Sequence, residues 1–139
     1  MSRTKAVSEI MTKPVITMEF TETVPNALKI MVEKEIGCLV ITMDRNPVGM
    51  LTERDVIRGI LHDTSVLSGS VGALMNSPLI SALPETQAVD ALRLMKDKKI
   101  RHLPVVKDGA LLGILTVHTD LLYWLLTIGS GHLPADQMR

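Results

Sequence analysis

Sliding the chain along itself by 64 residues lays one half on the other. Between residues 7–52 and 71–116, fourteen of 46 positions are identical. Among them are Val7/Val71, Met11/Met75, Pro14/Pro78, Ile16/Ile80, Ala27/Ala91, Leu28/Leu92, Met31/Met95, Ile36/Ile100, Leu39/Leu103, Gly49/Gly113, Leu51/Leu115 and Thr52/Thr116. Conservative pairs such as Ile10/Leu74, Thr17/Ser81 and Lys29/Arg93 fill the gaps. After Thr116 the second copy carries one extra residue, and Asp55 then matches Asp120. A fixed period of this length means two copies of one supersecondary unit. A unit of roughly 55–60 residues buries too little surface to be stable alone. The two copies are therefore expected to complete each other, sheet to sheet and with pseudo-twofold symmetry. The expected division is 1–65 and 66–130, with a mobile tail over 131–139.

Each copy has the same internal pattern. A short amphipathic turn (Val7–Met11; Val71–Met75) runs into a proline that ends it. A short apolar strand follows, Val15–Met18 or Leu79–Ala82. Thr23 then suits an N-cap, and Val24, Ala27, Leu28, Met31 and Val32 recur at helical spacing. Ala88, Ala91, Leu92 and Met95 repeat that spacing. A second strand is expected over Cys38–Thr42 and Leu103–Val106. The turns Asp44-Arg45-Asn46 and Lys107-Asp108-Gly109 come next, and Asp-Gly is a strong hairpin signal because it accepts positive φ. A third strand (Val48–Leu51; Leu111–Leu115) leads to a final helix (Glu53–Leu61; Asp120–Thr127). The polar stretch Asp63–Gly69 joins the copies. The fold class is α/β (α+β), each copy reading β-α-β-β-α.

Charge and composition narrow the function. Fifteen basic and fifteen acidic residues cancel, with no long run of one sign. Nucleic-acid binding needs a positive field to replace released counterions, so a nucleic-acid partner is not expected. Phe20, Tyr123 and Trp124 are the whole aromatic content, too little for a base-stacking platform. Cys38 is alone and cannot form an internal disulfide, which suits a reducing compartment. No secretory signal or span of roughly 20 apolar residues is evident, so a cytoplasmic protein without a membrane partner is expected. His62, His102, His118 and His132 share no zinc-site spacing, and no metal site is expected. Neither a nucleophile elbow nor a Walker loop occurs, and no catalytic arrangement emerges.

The motifs MTKPVITM, GCLVITMDRNPVGMLTERDVI, MNSPLISA and IRHLPVVKDGALLGILTVHTDLL together resemble the CBS domain, the small module named after cystathionine β-synthase. The resemblance runs from about residue 5 to residue 127. It implies a pair of domains whose central cleft binds an adenosine-containing ligand: AMP, ADP, ATP or S-adenosylmethionine. It also implies assembly into a homodimer and regulation of a separate client protein, with no cofactor required and no enzymatic activity.

Candidate site residues follow from overlaying the resemblance on local chemistry. Thr52-Glu53-Arg54-Asp55 opens a helix, and Thr52 and Asp55 would form a capping box with the negative group at the positive helix end. The resemblance offers a second role, in which the Asp55 carboxylate takes both ribose hydroxyls. In the second copy Thr116-Val117-His118-Thr119-Asp120 is one residue longer. Either Asp120 still reaches the ribose over a bulge, or Thr119 becomes the N-cap. Lys98 and Lys99 read as a solvated helix end. For Arg101 and His102 the resemblance adds contact with a ligand phosphate. The matching positions in the first copy, Gly37 and Cys38, are uncharged, and Arg54 and Arg58 would supply charge instead. Arg54 stands in a first helical turn, where a cation is disfavoured. Thr17 and Ser81 end the first strands, either as surface residues or, by resemblance, beside the adenosine. The expected ligand set is thus Thr17, Thr52, Arg54, Asp55, Ser81, Arg101, His102, Thr116, His118 and Asp120.

A different reading is a dimerisation module that binds no nucleotide. It rests on the apolar run Leu121-Leu122-Tyr123-Trp124-Leu125-Leu126, too apolar to stay exposed.

Overall fold

The computed structural model describes residues 5–117. The helix at Asp120–Thr127, the run Leu121–Leu126 and the tail at 131–139 lie outside them, as do His118 and Asp120. The described chain forms two compact units. One comprises residues 15–80 and 108–110; the other comprises residues 5–14, 81–107 and 111–117. Neither is simply one repeat, because each contains the opening segment of the other copy.

The unit built around the first copy contains β1 (Thr17–Glu19), α1 (Val24–Lys34), β2 (Cys38–Met43), β3 (Asn46–Thr52), α2 (Glu53–His62) and α3 (Val71–Leu74). Its sheet has the order β1-β2-β3, with β1 parallel and β3 antiparallel to β2. A parallel β1–β2 pair needs a crossover, and α1 provides it. Thr23 caps α1 by accepting the Asn26 amide at 3.3 Å. Val24, Ala27 and Met31 point from α1 into the core. Val32 does not: it is 77% exposed, because its place on the helix turns away from the sheet. Asp44 and Arg45, both at positive φ, make the two-residue β2–β3 turn, and Asn46 already belongs to β3. Glu19 ties this turn to β1. Its carboxylate accepts the Thr42 hydroxyl at 2.7 Å and the Asp44 amide at 2.7 Å. Those two hydrogen bonds, Thr42 first, hold its carboxyl below the usual range.

The second unit contains a 3-10 turn at Val7–Glu9, then α4 (Ala88–Lys98), β4 (His102–Lys107) and, from Leu111 on, β5 (Ala110–Thr116). Asp108 and Gly109, again at positive φ, connect β4 and β5. The strand expected at Leu79–Ala82 shrinks to one parallel bridge, Ala82 to Val105. In the first copy the ladder continues when the Phe20 amide donates to Thr42. The matching residue is Pro84, which has no N–H to donate, so pairing stops. The first copy's strand also shifts from the expected Val15–Met18 to Thr17–Glu19, where all three residues register with Val40–Thr42.

The opening segments are exchanged, and the exchange is reciprocal. Thr12 and Ile114 trade backbone hydrogen bonds at 2.8 and 3.0 Å, attaching the first copy's opening segment to β5. Asn76 and Met50 do the same at 2.8 and 2.9 Å on β3. The Val7 amide donates to Thr86, and the Val71 amide to Glu22, each at 2.8 Å. Val7 is fully buried with Leu92, Met95, Leu103 and Val105. Val71 is fully buried with Val24, Leu39, Leu51 and Val56.

Candidate functional site

The β3–α2 junction is the best-formed polar centre of the first-copy unit. β3 ends at Thr52 in extended conformation, and α2 begins at Glu53. The Thr52 hydroxyl accepts the Asp55 amide at 3.2 Å, and the Asp55 carboxylate accepts the Thr52 amide at 2.8 Å. This is the capping box expected from the Thr-x-x-Asp spacing. The Thr52 hydroxyl also donates to the same carboxylate oxygen, Oδ2, at 2.8 Å. Oδ2 thus carries two hydrogen bonds. The other oxygen, Oδ1, stands 3.6 Å from Nη1 of Arg58, one turn further along α2. Asp55 is only 8% exposed, an unusual degree of burial for an aspartate. Its burial is tolerated because the cap and the helix N-terminus both favour the negative charge.

Thr17 and Arg54 share this unit. Thr17 opens β1 opposite Val40, and Thr52 lies opposite Cys38, so both stand at the end of the sheet where β2 begins. Arg54 is exposed in the first turn of α2. On the Thr17 side an open depression of about 500 Å³ lies between β1 and α1, and Glu19, Glu22, Asn26, Lys29 and Glu33 are among its lining. That flank is acidic, whereas the first turns of α2 carry Glu53 and Asp55 together with Arg54 and Arg58. Cys38 begins β2, and burial pushes its thiol from an ordinary 9.0 up to about 11. It is a packed thiol, not a poised nucleophile.

The second copy gathers Ser81, Arg101, His102 and Thr116 in the other unit. Ser81 is exposed beside the Ala82 bridge, and Arg101 is exposed just before β4. His102 begins β4 with Nδ1 3.4 Å from the Thr116 hydroxyl at the end of β5. The matching hydroxyl in the first copy, that of Thr52, caps α2. The match otherwise holds through Val117, whose amide donates to Arg101 at 3.1 Å as Glu53 does to Gly37 at 2.9 Å. The extra residue falls at 118–119, and His118 and Asp120 lie outside the described residues.

Two features of the sites escape sequence reasoning. The Asp55–Arg58 contact is one: its i,i+3 spacing is visible in the sequence, but so are many equally spaced pairs on helices. The anchoring of the β2–β3 turn by Glu19 is the other, and no sequence signal points to it. Among the described residues no cluster of His, Cys, Asp and Glu is arranged to hold a metal ion. No helix among them is long and apolar enough to cross a membrane.

A β-α-β-β-α unit with a capped Thr-x-x-Asp turn, followed at one sequence period by a second copy that repeats its α-β-β core, defines a tandem α/β module. The CBS domain family model matches residues 7–62 and 71–119, and the chain belongs to that family. The uncharacterized protein MJ1404 of Methanocaldococcus jannaschii is 33% identical over 139 residues, covering 90% of this chain and 33% of its own length. The mitochondrial CBS domain-containing protein CBSX3 of Arabidopsis thaliana is 36% identical over 102 residues, covering 69% of this chain and 50% of its own. The chain therefore spans a third and a half of these two relatives. The crystal structure of an uncharacterized conserved protein from Pyrococcus horikoshii matches with a TM-score of 0.77 at 28% identity, covering 97% of this chain and 99% of that one.

Proposed function

We propose that the protein is a non-catalytic regulatory module that senses an adenosine-containing ligand (AMP, ADP, ATP or S-adenosylmethionine) and passes its state to a separate client. The ribose would be held at the Thr52–Asp55 turn, with Thr17 and Arg54 beside it. The second copy's set would be Ser81, Arg101, His102, Thr116, His118 and Asp120. The observation that carries this reading is the Asp55 carboxylate. It is held by its cap at a helix N-terminus, and among the described residues the nearest cation to its other oxygen is Arg58, at 3.6 Å. An ionised carboxylate accepts a hydroxyl well. A bound ligand would act by differing in affinity for two conformational or assembly states.

The test is isothermal titration with each of the four ligands, paired with sedimentation. Asp55→Asn keeps an oxygen for the Thr52 donors and so keeps the fold, but loses the charge. At least one ligand should bind, and Asp55→Asn should weaken it about tenfold or more, as expected for a hydrogen bond to a charged group. No heat with any ligand in folded protein would overturn the reading. If that protein also sedimented as a dimer or larger, the alternative of pure assembly would take its place. Exposed Ile57 and Leu61, one turn apart on α2, favour that alternative.

A further inference from the structure

We propose that Met11 and Met75 are a matched pair of oxidation sites. Oxidation of their thioethers by a peroxide releases the two opening segments from the strands they cross, whether or not a ligand occupies the Thr52–Asp55 turn.

The repeat puts one methionine at the end of each opening segment, and the fold seats each on a glycine of the other copy. A Cβ at Gly113 would meet the Met11 sulfur at 2.5 Å, and one at Gly49 the Met75 sulfur at 2.7 Å. Each thioether thus fills the room that a strand side chain would take. The next residue makes the backbone bridge of the crossing, Thr12 to Ile114 and Asn76 to Met50. Both methionines pack on the core that their segment completes, and both are only partly buried, so an oxidant in water can reach them. Met18, Met31 and Met95 are no more than 7% exposed and are shielded. Met43 is 39% exposed and should oxidise as well, but it pairs with Asn46 at the β2–β3 turn.

The step is a two-electron oxidation. The sulfur lone pair attacks one peroxide oxygen, and the O–O bond breaks as the S–O bond forms. The departing hydroxide takes the proton of the transferred oxygen and leaves as water. Sulfur ends as a sulfoxide and the peroxide is reduced. The new oxygen is polar and needs a donor. At the two crossings the amides of Thr12, Ile114, Met50 and Asn76 are already given to one another's carbonyls at 2.8–3.0 Å. Glycine brings no side-chain donor. Burying the sulfoxide unpaired is costly, so the side chain turns out to water and withdraws the contact that pins the segment.

Hydrogen peroxide is the probe. The whole protein is treated in steps, oxidised methionines are mapped by mass spectrometry, and exchange is followed at the amides of Thr12, Ile114, Met50 and Asn76. Oxidation at Met11 and Met75 should speed their exchange by roughly tenfold or more, as local opening does, while amides in the middle of β2 stay protected. Molecules oxidised at Met43 alone should exchange like untreated protein. Methionine sulfoxide reductase with a thiol reductant should restore protection. Met11→Leu with Met75→Leu nearly conserves volume and removes the sulfur, so peroxide should not change its exchange. The proposal falls if Met11 and Met75 stay reduced when Met43 is fully oxidised, or if their oxidation leaves the four amides protected. Equal loss through β2 would mean global unfolding and would overturn it too. Loss of protection in the leucine variant would make another methionine, such as Met50, the sensor. Should that variant not fold, the site-by-site mapping of wild type decides alone.

Discussion

Gly49 and Gly113 occupy equivalent strand positions, and each is crossed by the other copy's opening segment. A Cβ at Gly49 would meet the Asn76 carbonyl oxygen and the Met75 sulfur, both at 2.7 Å. A Cβ at Gly113 would meet the Met11 sulfur at 2.5 Å, but its nearest backbone atom, the Thr12 oxygen, is 3.1 Å away. The end of a methionine side chain can swing aside; a hydrogen-bonded carbonyl cannot. Gly49→Ala should therefore destabilise the protein by roughly 1–3 kcal/mol, the usual cost of overpacking. Gly113→Ala should cost less. Urea denaturation of the two variants checks the order, and equal losses would mean that the carbonyl at Gly49 yields as readily as the sulfur.

At the scale of elements, helix starts explain most of the agreement between pattern and structure. Thr23 and Thr52 were both readable as N-caps, because a hydroxyl before an apolar helical spacing has a mechanism attached. The two caps differ in strength. Thr23 accepts one amide at 3.3 Å, whereas Thr52 makes a reciprocal box and a further hydroxyl contact with buried Asp55. Thr23→Ala should cost about 1 kcal/mol, the typical loss of a cap. Thr52→Ala should cost about 2 kcal/mol, since it also strips the hydroxyl donor from a buried carboxylate. Thr52→Ser should recover most of that loss. Thermal unfolding of the three variants tests it. Strand ends were less legible. Periodicity made Leu79–Ala82 look like Val15–Met18, yet Pro84 in place of Phe20 and Pro104 in place of Val40 withdraw the amides that would extend the ladder on either side. Val32 shows the same limit, since correct helical spacing does not say which side of a stripe the sheet covers.

For the molecule as a whole, the exchange of opening segments matters most. Val7 and Val71 are both fully buried, but each lies in the core built around the other copy. Val7→Ala and Val71→Ala should each cost roughly 2 kcal/mol, the transfer of two carbons plus the cavity left behind. Amide exchange should separate them. In Val7→Ala the amides of Thr12 and Ile114 should lose protection first. In Val71→Ala those of Met50 and Asn76 should do so. The reverse pattern would mean that each opening segment serves its own copy. Such an exchange also explains why one repeat could not close its core by itself.

The sequence by itself determined the repeat, the β-α-β-β-α order of the first copy and the α-β-β order within the second, the turn chemistry at Asp44 and Asp108, and the capping box at Thr52–Asp55. All of these are local, set by backbone preference, spacing and short-range hydrogen bonding, so a linear pattern contains them. The tertiary structure alone decided where Val7–Met11 and Val71–Met75 pack, because the two copies are too alike for residue type to say which sheet each segment joins. It alone placed Glu19 under the β2–β3 turn. And it alone divided the labour of Asp55, with one oxygen bound into the helix cap and the other turned toward Arg58, because how a carboxylate shares its oxygens depends on distances and burial that no spacing records.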